Sequence, residues 1–176
     1  MIGQSLAIDL NGHPVHQLAS PGSQVVVLIF AGSDCPLSNR YIPEIERLNR
    51  KFAPKGLAFW WVFPNPDDTL IVIRKHVHDF STETPTLIDS GQELVRMAKV
   101  AVTPEAAVFA VKDRSLREVY HGRIDDRYIA FGQQRPQANR PALEDAIRAI
   151  WAAQPPPSAS GGPVGPPKLL GLHPPS

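Results

Sequence analysis

The order of apolar and polar residues predicts a chain that alternates strands with helices. Residues 25–30 are all apolar, and such a run, rich in β-branched side chains, indicates a central strand covered on both faces. Leu6, Ile8 and Leu10 alternate with polar neighbours just before Asn11-Gly12, which is a strong signal for a β-hairpin. The remaining apolar runs of strand length predict strands at 57–63, 86–88, 106–111 and 117–121.

A different spacing marks the helices. Apolar residues three and four positions apart predict helices over 35–52, 70–80, 93–99 and 141–150. Ser33 or Asp34 is expected to cap the first of these helices, and Asp67 or Asp68 the second. Pro43 lies inside the first helix and is expected to kink it.

This order of elements predicts an α/β fold in which helices flank a mixed central sheet. The alternating middle of the chain indicates parallel crossovers, and the two strands before residue 122 are expected to add an antiparallel pair. Residues 1–153 are predicted to form one domain. Residues 154–176 are dominated by Pro, Gly and Ser, bury too little apolar surface to offset their ordering entropy, and are predicted to be a disordered tail. A docking role for Leu169–Leu172 stays open.

Composition narrows the function classes. The chain has 176 residues, 43% of them hydrophobic, and a net charge of +1, so no basic field argues for nucleic acid or an anionic membrane surface. A single cysteine excludes an internal disulfide and a Cys-rich zinc cluster. No apolar run reaches membrane-spanning length, and the polar start is unlike a signal peptide. The sequence as written predicts a cytoplasmic protein, or an exported one if a signal segment was removed.

Cys35 is the main candidate for chemistry. It directly follows the central strand and a short turn, and Pro36 suits the first turn of a helix because its missing N–H would have no partner there. Unpaired backbone N–H groups at that end favour a thiolate over a thiol, so Cys35 is a candidate nucleophile. The alternative is that a lone cysteine is simply a small buried apolar residue.

The other polar and aromatic clusters are expected to be structural. His76 and His78 lie two residues apart on a helix and point in different directions, which predicts ordinary solvated histidines rather than a metal pair. Asp125–Asp126 fits a polar loop better than a cation site. Trp60–Trp61 would lie on opposite faces of a strand and serve packing. No nucleotide fingerprint or phosphate loop is present, so no cofactor or metal is expected.

Three features together resemble the thioredoxin-like superfamily. Cys35-Pro36-Leu37-Ser38 stands where these proteins carry Cys-x-x-Cys, and Pro43 stands where thioredoxins kink the same helix. Val102-Thr103-Pro104 looks like the loop whose proline is cis. The N-terminal hairpin and the extra βα unit at Leu57–Phe80 are similar to the redoxin branch, which includes alkyl hydroperoxide reductases and thiol-specific antioxidant proteins. Gly122–Tyr128 also resembles a run found in uncharacterised bacterial redoxin-domain proteins.

Departures from the family pattern shape what the resemblance implies. Ser38 replaces the second cysteine, so the chain cannot form the intramolecular disulfide of the dithiol cycle. Ile29 stands about where thioredoxins bury a carboxylate that serves that second cysteine. Gly32 occupies the place of the peroxiredoxin threonine, which counts against peroxidase chemistry, although Arg123 could supply the arginine that such enzymes need.

The resemblance also implies roles for individual residues. Cys35 would be the nucleophile and Ser38 a hydrogen-bond donor to its thiolate, with Arg40 offsetting the charge of Asp34 if the helix lets it fold back. The substrate-binding residues would be Pro36, Thr103, Pro104 and Glu105, with Glu105 near Cys35 as either a proton donor or acceptor or a solvated charge.

The leading hypothesis is a monothiol thiol–disulfide oxidoreductase. Cys35 would form a mixed disulfide that an external thiol resolves, and the partner would be a protein or a low-molecular-weight thiol or disulfide. One alternative is a redox-inactive thioredoxin-fold module that binds a peptide or protein beside Pro104. Another is a one-cysteine peroxidase. The sequence predicts no oligomeric state.

Overall fold

A computed structural model describes residues 4–130, 133–152 and 168–169. The strands are β1 (Ala7–Asp9), β2 (Pro14–Val15), β3 (Val25–Phe30), β4 (Leu57–Phe63), β5 (Thr86–Ile88), β6 (Val102–Thr103), β7 (Glu105–Lys112), β8 (Ser115–Gly122), β9 (Tyr128–Ala130), β10 (Gln133–Gln134) and β11 (Lys168–Leu169). The helices are α1 (Pro36–Arg40), α2 (Ile42–Phe52), α3 (Leu70–Phe80), α4 (Glu93–Ala98) and α5 (Ala142–Trp151).

A seven-stranded mixed sheet organises the chain, as the hydrophobic pattern predicts. Its strand order is β2-β1-β5-β4-β3-β7-β8. β3 lies inside the sheet, parallel to β4 and antiparallel to β7, and all six of its residues have no exposed surface. A strand buried on both faces needs apolar side chains in both directions, which is why residues 25–30 contain no polar position. The N-terminal hairpin is confirmed by the pairing of Ala7 with Val15.

Two apolar layers cover the faces of the sheet. Alternation along β3 sends Val25, Val27 and Ile29 into one layer, where α2, α3 and α5 pack. The residues between them enter the other layer, which α4 covers. The prediction for Trp60–Trp61 is confirmed, because the two indoles belong to opposite layers.

The first predicted helix is two helices. α1 ends at Arg40 and α2 begins at Ile42, with Tyr41 between them. Pro43 lies in the first turn of α2, where its missing N–H costs nothing, so the proline starts a new helix rather than bending a continuous one. The predicted caps were also wrong: Cys35 caps α1 and Thr69 caps α3.

The end of the chain carries one short element. Lys168–Leu169 forms β11, which pairs antiparallel with β6 in a small separate sheet. The other residues of the predicted tail, 154–167 and 170–176, lie outside the described residues.

A buried carboxyl group at the start of α4 makes stability depend on pH. Asp89 is 1% exposed and accepts hydrogen bonds from the backbone N–H groups of Leu94 and Val95, each at 3.1 Å. Burial raises the pKa of Asp89 from its ordinary 3.8 to about 7, against the opposing effect of those N–H groups. Between these pH values the folded protein keeps a proton that the unfolded chain has released. The contribution of Asp89 to stability therefore falls as the pH rises and is lost above about pH 7.

We predict that Asp89→Asn flattens this dependence. The asparagine oxygen can still accept from α4, but the variant has no proton to lose between about pH 4 and pH 7, the window between the unfolded and the folded pKa. In urea unfolding, the parent protein should lose more stability than the variant across that window. Asp113→Asn, in an exposed turn, is the matched control and should follow the parent. Parallel curves for the parent and Asp89→Asn would contradict the assignment.

Candidate active site

Cys35 lies where the turn after β3 meets α1. It is the N-cap of that helix, its side chain is 6% exposed, and its Sγ accepts a hydrogen bond from the Ser38 backbone N–H at 3.5 Å. α1 has only five residues, so its dipole is small. The favourable electrostatics at the sulfur therefore come from one local N–H group rather than from a long helix.

The Ser38 side chain is buried and stabilises the turn between Gly32 and α1. It is 2% exposed, and its Oγ accepts a hydrogen bond from the Gly32 backbone N–H at 3.3 Å. The resemblance implies that the Ser38 hydroxyl donates to the Cys35 sulfur, whereas in the structure the Ser38 backbone N–H makes this bond. Because the hydroxyl oxygen is the acceptor in the bond to Gly32, its hydrogen can still be donated.

The Thr103-Pro104 loop lies on the other side of Gly32. The peptide bond between these residues is cis, Thr103 is 1% exposed and Pro104 is buried. A methyl group on Gly32 would lie 3.4 Å from Cys35 Cβ and 3.8 Å from Thr103 Oγ1. The thiol turn and the proline loop are therefore neighbours across Gly32, a residue without a side chain, which places Cys35 and Thr103 on either side of it.

Glu105 is buried directly after the proline loop. Its strand position alternates with Ala106, so its side chain faces the apolar layer that α4 covers, while α2 packs on the other face. Burial raises the pKa of Glu105, whereas the backbone N–H groups of Ala101 and Val102 and the charge of His121 lower it. The carboxylate thus contacts the backbone at the start of β6, and Glu105 is 8% exposed rather than solvated.

Arg40 and Pro36 border the site at its surface. The Arg40 guanidinium lies 6.0 Å from the ring centroid of Tyr128, a cation–π geometry. This contact points Arg40 towards Tyr128, and the structure does not bring it to the sulfur. Pro36 is exposed directly after Cys35, where it forms part of the surface that an approaching molecule would meet.

A polar cluster that the sequence analysis missed fixes the turn before Cys35. Asp68, 2% exposed, accepts from both the hydroxyl and the backbone N–H of Ser33. Asn39 Nδ2 donates to the Ser33 carbonyl at 3.3 Å, and its Oδ1 lies 2.8 Å from His76 Nε2. Ser33 is thereby held at its N–H, its hydroxyl and its carbonyl, two residues before the thiol.

The expectation for His76 was wrong because Asn39 and the rings around it enclose the imidazole. His76 is 9% exposed and lies between the rings of Phe63 and Phe80. Burial lowers the pKa of His76, although the charges of Asp68 and Asp79 oppose that effect. His78 is solvated as predicted, with 91% of its side chain exposed.

The Gly122–Tyr128 run, to which the sequence analysis assigned no role, ties β8 to the thiol helix. The Tyr41 hydroxyl donates to Asp125 Oδ1 at 2.8 Å, and the rings of Tyr41 and Tyr128 meet edge to face at 5.0 Å. Burial and the negative charge of Asp125 raise the pKa of Tyr41. Asp125 and Asp126 are buried rather than solvated, because they bind the phenol and the 135–140 segment.

Two further properties concern ions and membranes. Within residues 4–130, 133–152 and 168–169, no group of three or more His, Cys, Asp or Glu side chains is placed to hold a metal ion. Over the same described ranges, every helix is too short or too polar to cross a bilayer.

We predict that Asp68→Asn loosens the thiol turn. An amide offers one oxygen where the carboxylate accepts two bonds from Ser33, so a buried donor loses its partner at a cost of about 1–3 kcal/mol. Urea unfolding should show this loss. Asp67→Asn, at the exposed neighbouring position, should change stability by less than about 0.5 kcal/mol. Equal stability of the two variants would contradict the role given to Asp68.

Comparison with known proteins identifies the family of the chain. The sequence model of the Redoxin family matches residues 4–127. Among curated proteins, none matches the sequence. An uncharacterized conserved protein from Geobacillus kaustophilus has a similar structure, with a TM-score of 0.73 and 22% identity over 100% of this chain and 94% of that chain.

Two structures with more specific descriptions are similar at lower scores. A secreted Mycobacterium tuberculosis disulfide oxidoreductase homologous to E. coli DsbE has a TM-score of 0.54 and 15% identity over 83% of this chain and 93% of that chain. A thioredoxin-like protein from Aeropyrum pernix has a TM-score of 0.53 and 20% identity over 68% of this chain and 80% of that chain. These likenesses show the fold, and the match over residues 4–127 shows that the chain belongs to the Redoxin family, with a thioredoxin-like mixed sheet.

Proposed function

We propose that this protein is a monothiol thiol–disulfide oxidoreductase that acts through Cys35. The observation that carries the proposal is the placement of the Cys35 sulfur on a backbone N–H, next to the cis Thr103-Pro104 loop. An N–H donor stabilises a thiolate more than a thiol, since the negative sulfur is the better acceptor. The family match and the disulfide-oxidoreductase description of one structural neighbour support the same chemistry.

The reaction needs two exchanges and no cofactor. The Cys35 thiolate attacks one sulfur of a disulfide, forming a mixed disulfide and releasing the other sulfur as a thiolate. A second, external thiolate then attacks the substrate sulfur of the mixed disulfide and restores Cys35 as a thiolate. The electron pair and the number of disulfides are conserved in each step. The external thiol is required because Ser38 stands where a resolving cysteine would be.

Backbone groups near the sulfur would bind the substrate. Thr103 and Pro104 lie beside the thiol turn, and β6 offers N–H and C=O groups along its edge. An extended polypeptide could pair with that edge while its sulfur meets Cys35. Pro36 supplies exposed apolar surface on the approach.

A second candidate function is a redox-inactive module that binds an extended polypeptide at the same edge. The burial of Cys35, which leaves 6% of the residue exposed, favours it, because a sheltered sulfur reacts slowly. In that case Cys35 contributes only packing, and the protein should still bind the polypeptide when Cys35 is replaced by alanine.

We predict that full-length protein forms mixed disulfides with an external disulfide at neutral pH. After incubation with oxidised glutathione and quenching in acid, intact mass spectrometry should show one glutathione adduct that dithiothreitol removes. Cys35→Ala should show none. If no adduct forms under conditions in which free cysteine reacts, the oxidoreductase hypothesis is wrong and the binding-module hypothesis is favoured. Conversion of Cys35 to sulfenic acid by hydrogen peroxide faster than free cysteine would instead indicate a peroxidase.

We also predict that Ser38→Cys gains the dithiol cycle. Residues 35 and 38 would then form a Cys-x-x-Cys pair in the first turn of α1, and oxidation should remove both titratable thiols by an intramolecular disulfide. Ser90→Cys adds an exposed cysteine elsewhere and is the matched control. It should keep two thiols at low protein concentration. Two free thiols in folded, oxidised Ser38→Cys would contradict a thioredoxin-like geometry at the site.

A further inference from the structure

We propose that residues 168–169 of this chain occupy the β6 edge beside the thiol turn in the resting protein and thereby block the polypeptide site of the proposed function. An external polypeptide would have to displace this tail strand to reach Cys35. The effect on the reaction of Cys35 rests on the proposed function. The pairing of residues 168–169 with β6 does not depend on it.

The strand pairing carries the proposal. Lys168 pairs with Thr103 and Leu169 with Val102, in antiparallel register. β6 belongs to no other sheet among the described residues, so the tail strand is the one partner described for this edge. An edge of this kind presents unpaired N–H and C=O groups, which readily pair with another strand.

The position of β6 links the pairing to the thiol. Thr103 ends β6 and directly precedes the cis bond to Pro104. The same residue lies within reach of a methyl group on Gly32, as does Cys35. A strand on β6 therefore runs past the turn that carries the sulfur, where a substrate polypeptide would also have to lie.

The tail sequence fits a strand at this one place. Prolines interrupt residues 155–167 and again 174–175, and proline has no N–H to give to a ladder. Residues 168–173, with the sequence Lys-Leu-Leu-Gly-Leu-His, form the proline-free stretch of the tail that contains large apolar side chains. The tail thus combines a stretch able to pair with flanking segments that cannot extend the pairing.

Because residues 168–169 belong to the same chain as β6, even weak pairing between them can be highly populated. Attachment to the same chain gives residues 168–169 an effective concentration at the edge on the order of 1 mM. If the free segment bound the edge with a dissociation constant on the order of 0.3 mM, about three quarters of the molecules would be occupied. Release of the tail would then raise the rate with a competing polypeptide about fourfold.

The test replaces Lys168 and Leu169 with proline in the full chain, which removes both N–H groups of β11. The matched control is the double variant Val164→Pro with Gly165→Pro, which adds two prolines earlier in the tail. Amide hydrogen exchange of Thr103, whose N–H faces Lys168 in the pairing, is the first readout and is independent of thiol chemistry. Protection should fall in the first variant and stay unchanged in the control. Equal protection in parent and both variants would overturn the proposal.

The second readout compares two disulfides. One is a short unstructured peptide whose single cysteine is bonded to glutathione, and the other is oxidised glutathione. Loss of β11 should raise the rate of Cys35 with the peptide about fourfold and leave the rate with oxidised glutathione unchanged. An equal gain with both would overturn the assignment to the edge. If Cys35 reacts with neither in any variant, the proposed function fails, while hydrogen exchange still decides whether the tail occupies β6.

Discussion

The chemistry proposed for this protein depends on one contact, the hydrogen bond from the Ser38 backbone N–H to Cys35 Sγ. At 3.5 Å it is long, and it lies in a site from which most water is excluded. Low local polarity strengthens such a bond when the sulfur is charged and makes an unsupported charge costly. The turn must therefore be held in place. The bond from Gly32 to the Ser38 hydroxyl and the three bonds made by Ser33 supply that constraint from both sides.

The central sheet positions the Cys35 turn beside the Thr103-Pro104 loop. β3 is fixed by strands on both sides and by apolar layers on both faces, so the turn that follows it starts from a rigid position. β7 runs antiparallel to β3, which places the start of β7, and with it the Thr103-Pro104 loop, at the end where β3 delivers Cys35. The Tyr41–Asp125 bond anchors the junction of α1 and α2 to the segment after β8. Each contact relates two segments that are far apart in the chain.

Much of the fold could be predicted because its causes are local. The positions of apolar residues indicate which face of each element is buried, as in the run at 25–30 and in the helical spacing. The Asn11-Gly12 turn predicts the hairpin. The polar cluster could not be predicted in the same way. Asp68 beside Thr69 reads as a helix cap, and nothing nearby in sequence reveals that its partner is Ser33. Burial of His76 and Asp125 likewise depends on Asn39 and Tyr41, which only the tertiary fold brings to them.

If the folded structure activates the Cys35 sulfur, that sulfur should be more reactive in the native protein than in the unfolded chain. The second-order rate constant with a small aromatic disulfide would be measured at pH 7 for the native chain and for the chain in concentrated urea, with Cys35→Ala as the blank. We expect native protein to react faster, by about tenfold, because the fixed turn and the Ser38 N–H hold the sulfur in position for attack. Native protein that reacts more slowly than the unfolded chain would show a sheltered, inert sulfur and contradict this expectation.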